Sequence, residues 1–166
     1  LTGEILLNLD TEEDDEIDMG CAGGIDVTAT RRYIEEATPK NTTAFKIAIK
    51  GLQGGHSGMD IHKGFGNANK IMNRLLYHGF EHANLQIAEL EGGSLRNAIP
   101  RESFSTILID KTLKETFLSE MNLLIDSIKD EFNTIEPNLT IDIVTVETPL
   151  KVMNLEVQKG FIKSVY

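Results

Sequence analysis

Between Phe45 and Val146 the apolar residues follow two different periods, and the order of those periods leaves few possible folds. Large apolar side chains occupy every second position from Phe45 to Ile49, which predicts a half-buried strand. From Ala68 to Phe80 they recur every three or four residues, which predicts one face of an amphipathic helix. Together the two patterns predict strands at 45–50, 85–90, 104–109 and 139–143, and helices over 68–80 and 113–135.

The resulting order is strand, helix, strand, strand, helix, strand, which is typical of a ferredoxin-like α+β sandwich. In this two-layer fold, two helices cover one face of a four-stranded antiparallel sheet. Asn67 is a good N-cap for the first helix, and Pro137 ends the second because it lacks a main-chain N–H. Val27–Ile34, rich in β-branched and aromatic residues, predicts one more strand, and Val152–Tyr166 a further helix. The sequence leaves open which sheet face contacts the helices.

The residues before the sandwich suggest the end of another domain. Ile5–Leu9 is an apolar run that ends in Asp10, as expected for a buried parallel strand with an acid at its carboxyl edge. This strand has no partner in the chain, and no secretory leader begins at Leu1, so we expect a piece of a longer protein. Residues 1–24 are predicted to end a preceding domain and to cross over, and residues 25–166 to form a second domain.

The overall charge and the cysteine count exclude several classes of partner. The net charge of −10 repels phosphate backbones and anionic lipid, so neither nucleic acid nor a membrane surface is an expected partner. No segment is long and apolar enough to cross a bilayer. Cys21 is the single cysteine, so no internal disulfide can form, which suits a reducing, cytoplasmic compartment.

Three places in the chain carry residues suited to chemistry. His56 lies in Gly51–Gly58, where four glycines in eight residues follow a predicted strand, and its imidazole could polarise a carbonyl oxygen. Arg96 and Asn97 could hold a carboxylate or a carbonyl. Asp10 suits a metal cation, but one carboxylate is not a metal site, and no His/Cys cluster in the chain supplies the other ligands. A glycine-rich turn and a polar hairpin tip remain alternative interpretations for the first two places.

Three other interpretations of sequence motifs are rejected. The acidic run after residue 10 is not an EF-hand, because Asp15 stands where that loop needs glycine and Cys21 where it needs glutamate. Gly64 and Gly66 lack the third glycine of a dinucleotide fingerprint. Nothing fixes a base beside Ser57, so a serine hydrolase is not expected. The remaining histidines are interpreted as exposed or helix-end residues: His62, His78 and His82.

Five motifs occur in order along the first two thirds of the chain. They are Asn-Leu-Asp-Thr-Glu-Glu at 8–13, Met-Gly-Cys-Ala-Gly-Gly at 19–24, Gly-Gly-His-Ser-Gly at 54–58, Gly-Asn-Ala-Asn-Lys at 66–70 and Arg-Asn-Ala-Ile-Pro-Arg at 96–101. Together they are similar to the motifs of the aminoacyl-histidine dipeptidase family, the Xaa-His branch of the M20 zinc peptidases, also called peptidase D. The resemblance covers residue 1 to about residue 110.

The resemblance implies a two-domain enzyme in which a lid closes over a catalytic domain with two zinc ions. Residues 1–24 then end a segment of the catalytic domain and cross over, and residues 25–166 form part of the lid, which in this family also contributes to dimerisation. Asp10 matches a zinc ligand, His56 the lid histidine that contacts the scissile carbonyl oxygen, and Asn97, with Arg96 beside it, the substrate contacts. The other ligands are expected outside this chain, so the isolated chain is expected to be inactive. Alternatives are another M20 hydrolase (a deacylase or aminopeptidase) and a non-catalytic ferredoxin-like self-association module.

Overall fold

A computed structural model of the chain describes residues 4, 5, 15, 23, 25, 27–93 and 95–165. The chain divides into two compact units, Leu1–Arg32 and Tyr33–Tyr166, and every helix and strand named below belongs to the second. Asp10 and most of the strand predicted at Ile5–Leu9 lie outside the described residues. The domain boundary predicted after residue 24 therefore stays a prediction.

The strand predicted at Val27–Ile34 is wrong. Residues 27–35 have no regular secondary structure, and Val27 and Ile34 are both 85% exposed. β-branched residues favour a strand where a neighbouring strand and a half-buried surface receive them, and no described strand pairs with this segment. A strand of two residues begins only at Glu36.

The elements of the second unit follow the predicted order. They are β1 (Glu36–Ala37), β2 (Thr42–Lys50), α1 (Ala68–Ala83), β3 (Gln86–Gly92), β4 (Ser103–Asp110), α2 (Lys114–Phe132), β5 (Thr140–Val146), β6 (Lys151–Val152) and α3 (Leu155–Val165). A four-stranded antiparallel sheet has the strand order β3-β4-β2-β5, and β1 pairs with β6 in a separate two-stranded sheet. The ferredoxin-like α+β sandwich is thus confirmed. α2 ends at Phe132, earlier than the helix predicted to run to Ile135, and continues as a turn.

The structure settles which face of the sheet meets the helices. Phe45, Ile47 and Ile49 on β2 are at most 2% exposed and pack in one core with both helices. The ring of Phe45 lies 5.4 Å from that of Phe117 on α2, between ring centroids. Leu75 on α1 is fully buried in the same core. Burial of such side chains supplies most of the free energy that holds the helices on the sheet.

The start of α1 confirms the predicted N-cap. The side-chain oxygen of Asn67 accepts hydrogen bonds from the main-chain nitrogens of Asn69 at 3.0 Å and Lys70 at 3.2 Å. These bonds satisfy N–H groups that have no partner within the helix. Among the described residues, no helix is long and apolar enough to cross a membrane.

Candidate functional site

The loop between β2 and α1 leaves the sheet through two positions that only glycine fills without strain. Gly51 has φ +80°, and a Cβ atom there would lie 2.0 Å from the carbonyl oxygen of Asn138. Gly54 has φ +70°, and its Cβ would lie 2.3 Å from Cγ of Arg101. Positive φ values and such close contacts exclude larger residues at both positions. The glycines predicted as turn residues therefore also let the chain pass close to two neighbouring segments.

The structure brings the His56 segment and the Asn97 segment together. The nitrogen of Ser57 donates to the carbonyl oxygen of Asn97 at 2.9 Å, and the nitrogen of Ile99 donates to the carbonyl oxygen of Gly55 at 2.8 Å. An antiparallel bridge between His56 and Ala98 lies between these two bonds. Two loops that are about forty residues apart in the sequence thus form one short ribbon at the end of the sheet.

The ring of His56 is held by its own loop. Its Nδ1 atom accepts hydrogen bonds from the main-chain nitrogens of Gly58 and Met59, each at 3.1 Å. When Nδ1 of a neutral imidazole is the acceptor, the proton is on Nε2. The side chain is exposed, so the ring presents an Nε2–H donor at the surface of the loop.

Asp60 closes the turn that follows His56. One oxygen of its carboxylate accepts from the nitrogen of His56 at 2.7 Å, and the other accepts from Nζ of Lys63 at 2.7 Å. The hydrogen bond from Lys63, followed by that from the main chain of His56, lowers the pKa of the Asp60 carboxyl below its ordinary value. Sequence reasoning missed Asp60, although an acid four residues after the histidine was a signal for such a turn.

The other predicted site residues differ in how far they are exposed. Arg96 and Asn97 are both exposed on the connection between β3 and β4. A groove of about 450 Å³ runs beside this connection, and Ala98 and Pro100 are among its lining residues, whereas His56 and Asn97 are not. His62 is exposed, as expected, but His78 is half-buried, with Nε2 3.2 Å from a carboxylate oxygen of Glu120.

The predicted metal ligand cannot be placed. Asp10 lies outside the described residues, and within the described ranges no group of three or more His, Cys, Asp or Glu residues has the geometry to hold a metal ion. The part of the chain that is described therefore offers donors and hydrogen bonds rather than a metal centre. The role of Asp10 stays a prediction.

Comparisons with known proteins identify the family to which this part of the chain is similar. The family model of the peptidase dimerisation domain of M20 peptidases matches residues 47–136. The cytosol non-specific dipeptidase of Escherichia coli (strain K12) is 45% identical over 141 residues, which are 85% of this chain and 29% of that protein.

Two solved structures are also similar to this chain. The aminoacylhistidine dipeptidase of Vibrio alginolyticus matches with a TM-score of 0.75 and 37% identity, over 80% of this chain and 27% of that one. The aminobenzoyl-glutamate utilization protein of Klebsiella pneumoniae matches with a TM-score of 0.50 and 9% identity, over 67% of this chain and 29% of that one, a likeness of fold alone. The chain thus spans less than a third of the length of these relatives. Because the family model matches more than half of its residues, the chain belongs to the M20 peptidase dimerisation domain family.

Proposed function

We propose that this chain is the lid and dimerisation part of a cytoplasmic, zinc-dependent dipeptidase that hydrolyses Xaa-His dipeptides. The names of two relatives support a dipeptidase, one of them a cytosol dipeptidase and the other an aminoacylhistidine dipeptidase. Because the chain spans 29% and 27% of these relatives, the remaining parts of the enzyme are to be supplied by a longer polypeptide.

In this proposal His56 donates its Nε2–H to the scissile carbonyl oxygen. The observation that carries it is the pair of main-chain donors on Nδ1, which leaves Nε2 as the ring's donor. Negative charge grows on the carbonyl oxygen during hydrolysis, and a donor held in place stabilises that charge without reorganising. Residues 56–59 are exposed, so the main chain around His56 can come close to a small dipeptide.

Asn97 and, beside it, Arg96 are proposed to bind the substrate. Their segment is joined to the His56 loop by two main-chain hydrogen bonds, which hold the two segments side by side. An amide and a guanidinium both donate to carboxylates and carbonyls, the polar groups that every dipeptide carries.

Asp10 is proposed as a zinc ligand, and the other ligands for two zinc ions are assigned to the rest of the enzyme. Zinc would supply Lewis-acid polarisation of the carbonyl group and activation of water. This chain's own part is to bring a hydrogen-bond donor to the carbonyl oxygen when the lid closes. The isolated chain is therefore expected not to hydrolyse dipeptides.

Kinetics of the complete protein that carries this chain test the proposal. His56→Ala should lower kcat on an Xaa-His dipeptide by about 10²- to 10³-fold, as the loss of one oxyanion donor does elsewhere. His62→Ala, in the same loop region and exposed, is the matched control and should leave kcat unchanged. An unchanged kcat in His56→Ala would remove His56 from the mechanism.

A second substrate range is favoured by one relative's name. The Escherichia coli relative is called a non-specific dipeptidase, which points to acceptance of dipeptides beyond Xaa-His. Turnover of Xaa-His dipeptides, other dipeptides and N-acyl amino acids by the complete protein distinguishes a selective dipeptidase, a broad one and a deacylase. Homodimerisation through this domain is proposed from the family's description, and sedimentation of the complete protein measures it.

A further inference from the structure

One carboxylate, that of Glu136, joins two distant main-chain segments. Glu136 is 2% exposed. One of its oxygens accepts from the nitrogen of Gln53 at 2.8 Å, and the other accepts from the nitrogen of Gly66 at 2.8 Å. These partners lie 83 and 70 residues earlier in the chain. Both oxygens of one buried acid are therefore used to hold main-chain N–H groups.

Gln53 and Gly66 bracket the segment that carries His56. The chain leaves the core at Gln53, passes through the histidine turn and returns at Gly66 just before α1. We infer that Glu136 is a positioning residue for His56, because it fixes both ends of the loop on which that imidazole is presented. The inference rests on the proposed function only for its consequence in catalysis.

Glu136 is itself fixed in the turn between α2 and β5. Its nitrogen donates to the carbonyl oxygen of Phe132 at 2.7 Å, and its carbonyl oxygen accepts from the nitrogen of Leu139 at 3.0 Å. The side chain of Gln53 also donates to the carbonyl oxygen of Ile135. The loop is thus attached at more than one point to a turn that is itself hydrogen-bonded.

The chemistry of this contact requires a carboxylate. A buried carboxylate is costly unless its oxygens are hydrogen-bonded, and charge-assisted bonds of this kind are stronger than neutral ones. The oxygen at Gly66 also lies next to the N-terminus of α1, where the helix dipole favours negative charge. A Cβ at Gly66 would lie 2.6 Å from Leu52 Cδ2 and 3.3 Å from Glu136 Cγ, so glycine allows this close approach.

Replacing Glu136 with glutamine removes one acceptor oxygen with little change in the shape of the side chain. Its side chain has one oxygen and one NH2 group, so it can accept from only one of the two N–H donors and must direct its own donor at the other. Glu136→Gln should therefore free one end of the loop while leaving the core intact. A displacement of the Nε2–H donor by about 1 Å is enough to lower the rate of hydrolysis about 100-fold.

The experiment compares the complete protein with its Glu136→Gln and Glu115→Gln variants. Glu115, exposed in the first turn of α2, is the matched control. Amide hydrogen exchange should become faster in residues 54–65 of Glu136→Gln, with β2 and α1 unchanged. On an Xaa-His dipeptide, kcat should fall about 10- to 100-fold with KM changed less than about threefold.

A double variant separates positioning from general destabilisation. In a His56→Ala background, Glu136→Gln should lower kcat no further, because the group it positions is gone. If the two effects multiply, or if exchange rises equally throughout the sandwich, Glu136 supports the fold as a whole and the inference is overturned. Unchanged exchange and unchanged kcat would overturn it as well.

Two further outcomes are also decisive. If His56→Ala alone leaves kcat unchanged, the proposed role of His56 fails, and exchange in residues 54–65 alone decides whether Glu136 holds the loop. If Glu136→Gln does not fold, Glu136→Asp, which keeps the charge on a shorter side chain, is measured in the same way. Faster exchange confined to the loop supports the inference, and uniform or unchanged exchange overturns it.

Discussion

The main-chain nitrogen of Gly58 lies 3.1 Å from Nδ1 of His56 and donates its hydrogen to that atom. A second donor, from Met59, reaches the same atom. The histidine is thus oriented by the turn that follows it, and only one of its two ring nitrogens is left to face a substrate. The direction of the Nε2–H donor depends on this arrangement.

The first prediction concerns the proton on this ring. In neutral form His56 should carry its proton on Nε2, because Nδ1 accepts two main-chain hydrogen bonds. Long-range ¹H–¹⁵N spectra of the histidine-labelled protein distinguish the two tautomers directly. A proton found on Nδ1 would contradict the structure of the loop and the direction of the proposed donor.

The second prediction concerns the titration of Asp60. Its pKa lies below the ordinary value of 3.8, first because Lys63 donates to the carboxylate and then because the main chain of His56 does. The ¹³C signal of this carboxyl group should therefore titrate with a midpoint below 3.8, and Lys63→Ala should raise that midpoint. Lys40→Ala, at an exposed position, serves as the control and should leave it unchanged.

The lowered pKa of Asp60 determines how its contribution to folding stability changes with pH. The pKa of Asp60 is lower in the folded loop than in the unfolded chain. Its contribution to the stability of the loop is therefore fully present above the ordinary pKa and is lost as the pH falls through the lowered value. Protection of the His56 amide should therefore decrease only on acidification below about pH 4. Equal midpoints in the parent and Lys63→Ala proteins would show that the hydrogen bond at 2.7 Å is absent in solution.

The third prediction concerns Gly51. Alanine there would combine φ +80° with a Cβ only 2.0 Å from the carbonyl oxygen of Asn138, so the loop and the turn before β5 must separate. We expect Gly51→Ala to lower the free energy of unfolding by about 1–3 kcal/mol. Urea unfolding measures this change. Gly23→Ala, with no atom of the described residues within 4 Å of the added Cβ, should change it by less than about 0.5 kcal/mol, and equal values for the two variants would be the contrary result.

The regular elements could be predicted because their signals are local. The alternation that begins at Phe45 and the helical period that begins at Ala68 each reflect one buried face, and both elements form where predicted. The face of β2 that meets the helices could not be predicted, because it depends on where the helices cross the sheet. Val27–Ile34 shows the limit of composition, since strand-forming residues without a pairing partner stay irregular.

For the candidate site too, some features could be predicted from the sequence and others could not. Glycines around His56 were visible in the sequence, and the pairing of its loop with the Asn97 segment required the folded chain. Glu136 follows an amphipathic helix and precedes a proline, so its sequence context indicates only a helix end. Its partners are 70 and 83 residues away, and no periodicity reports contacts over that separation.

In the proposed mechanism, His56 contacts the substrate's carbonyl oxygen most strongly in the transition state. The affinity of the complete protein for a phosphinic dipeptide analogue, whose tetrahedral oxygens imitate that state, tests it directly. His56→Ala should weaken analogue binding by about 10²- to 10³-fold while KM for the dipeptide changes little. If His56→Ala bound the analogue as tightly as the parent protein does, His56 would not stabilise the transition state.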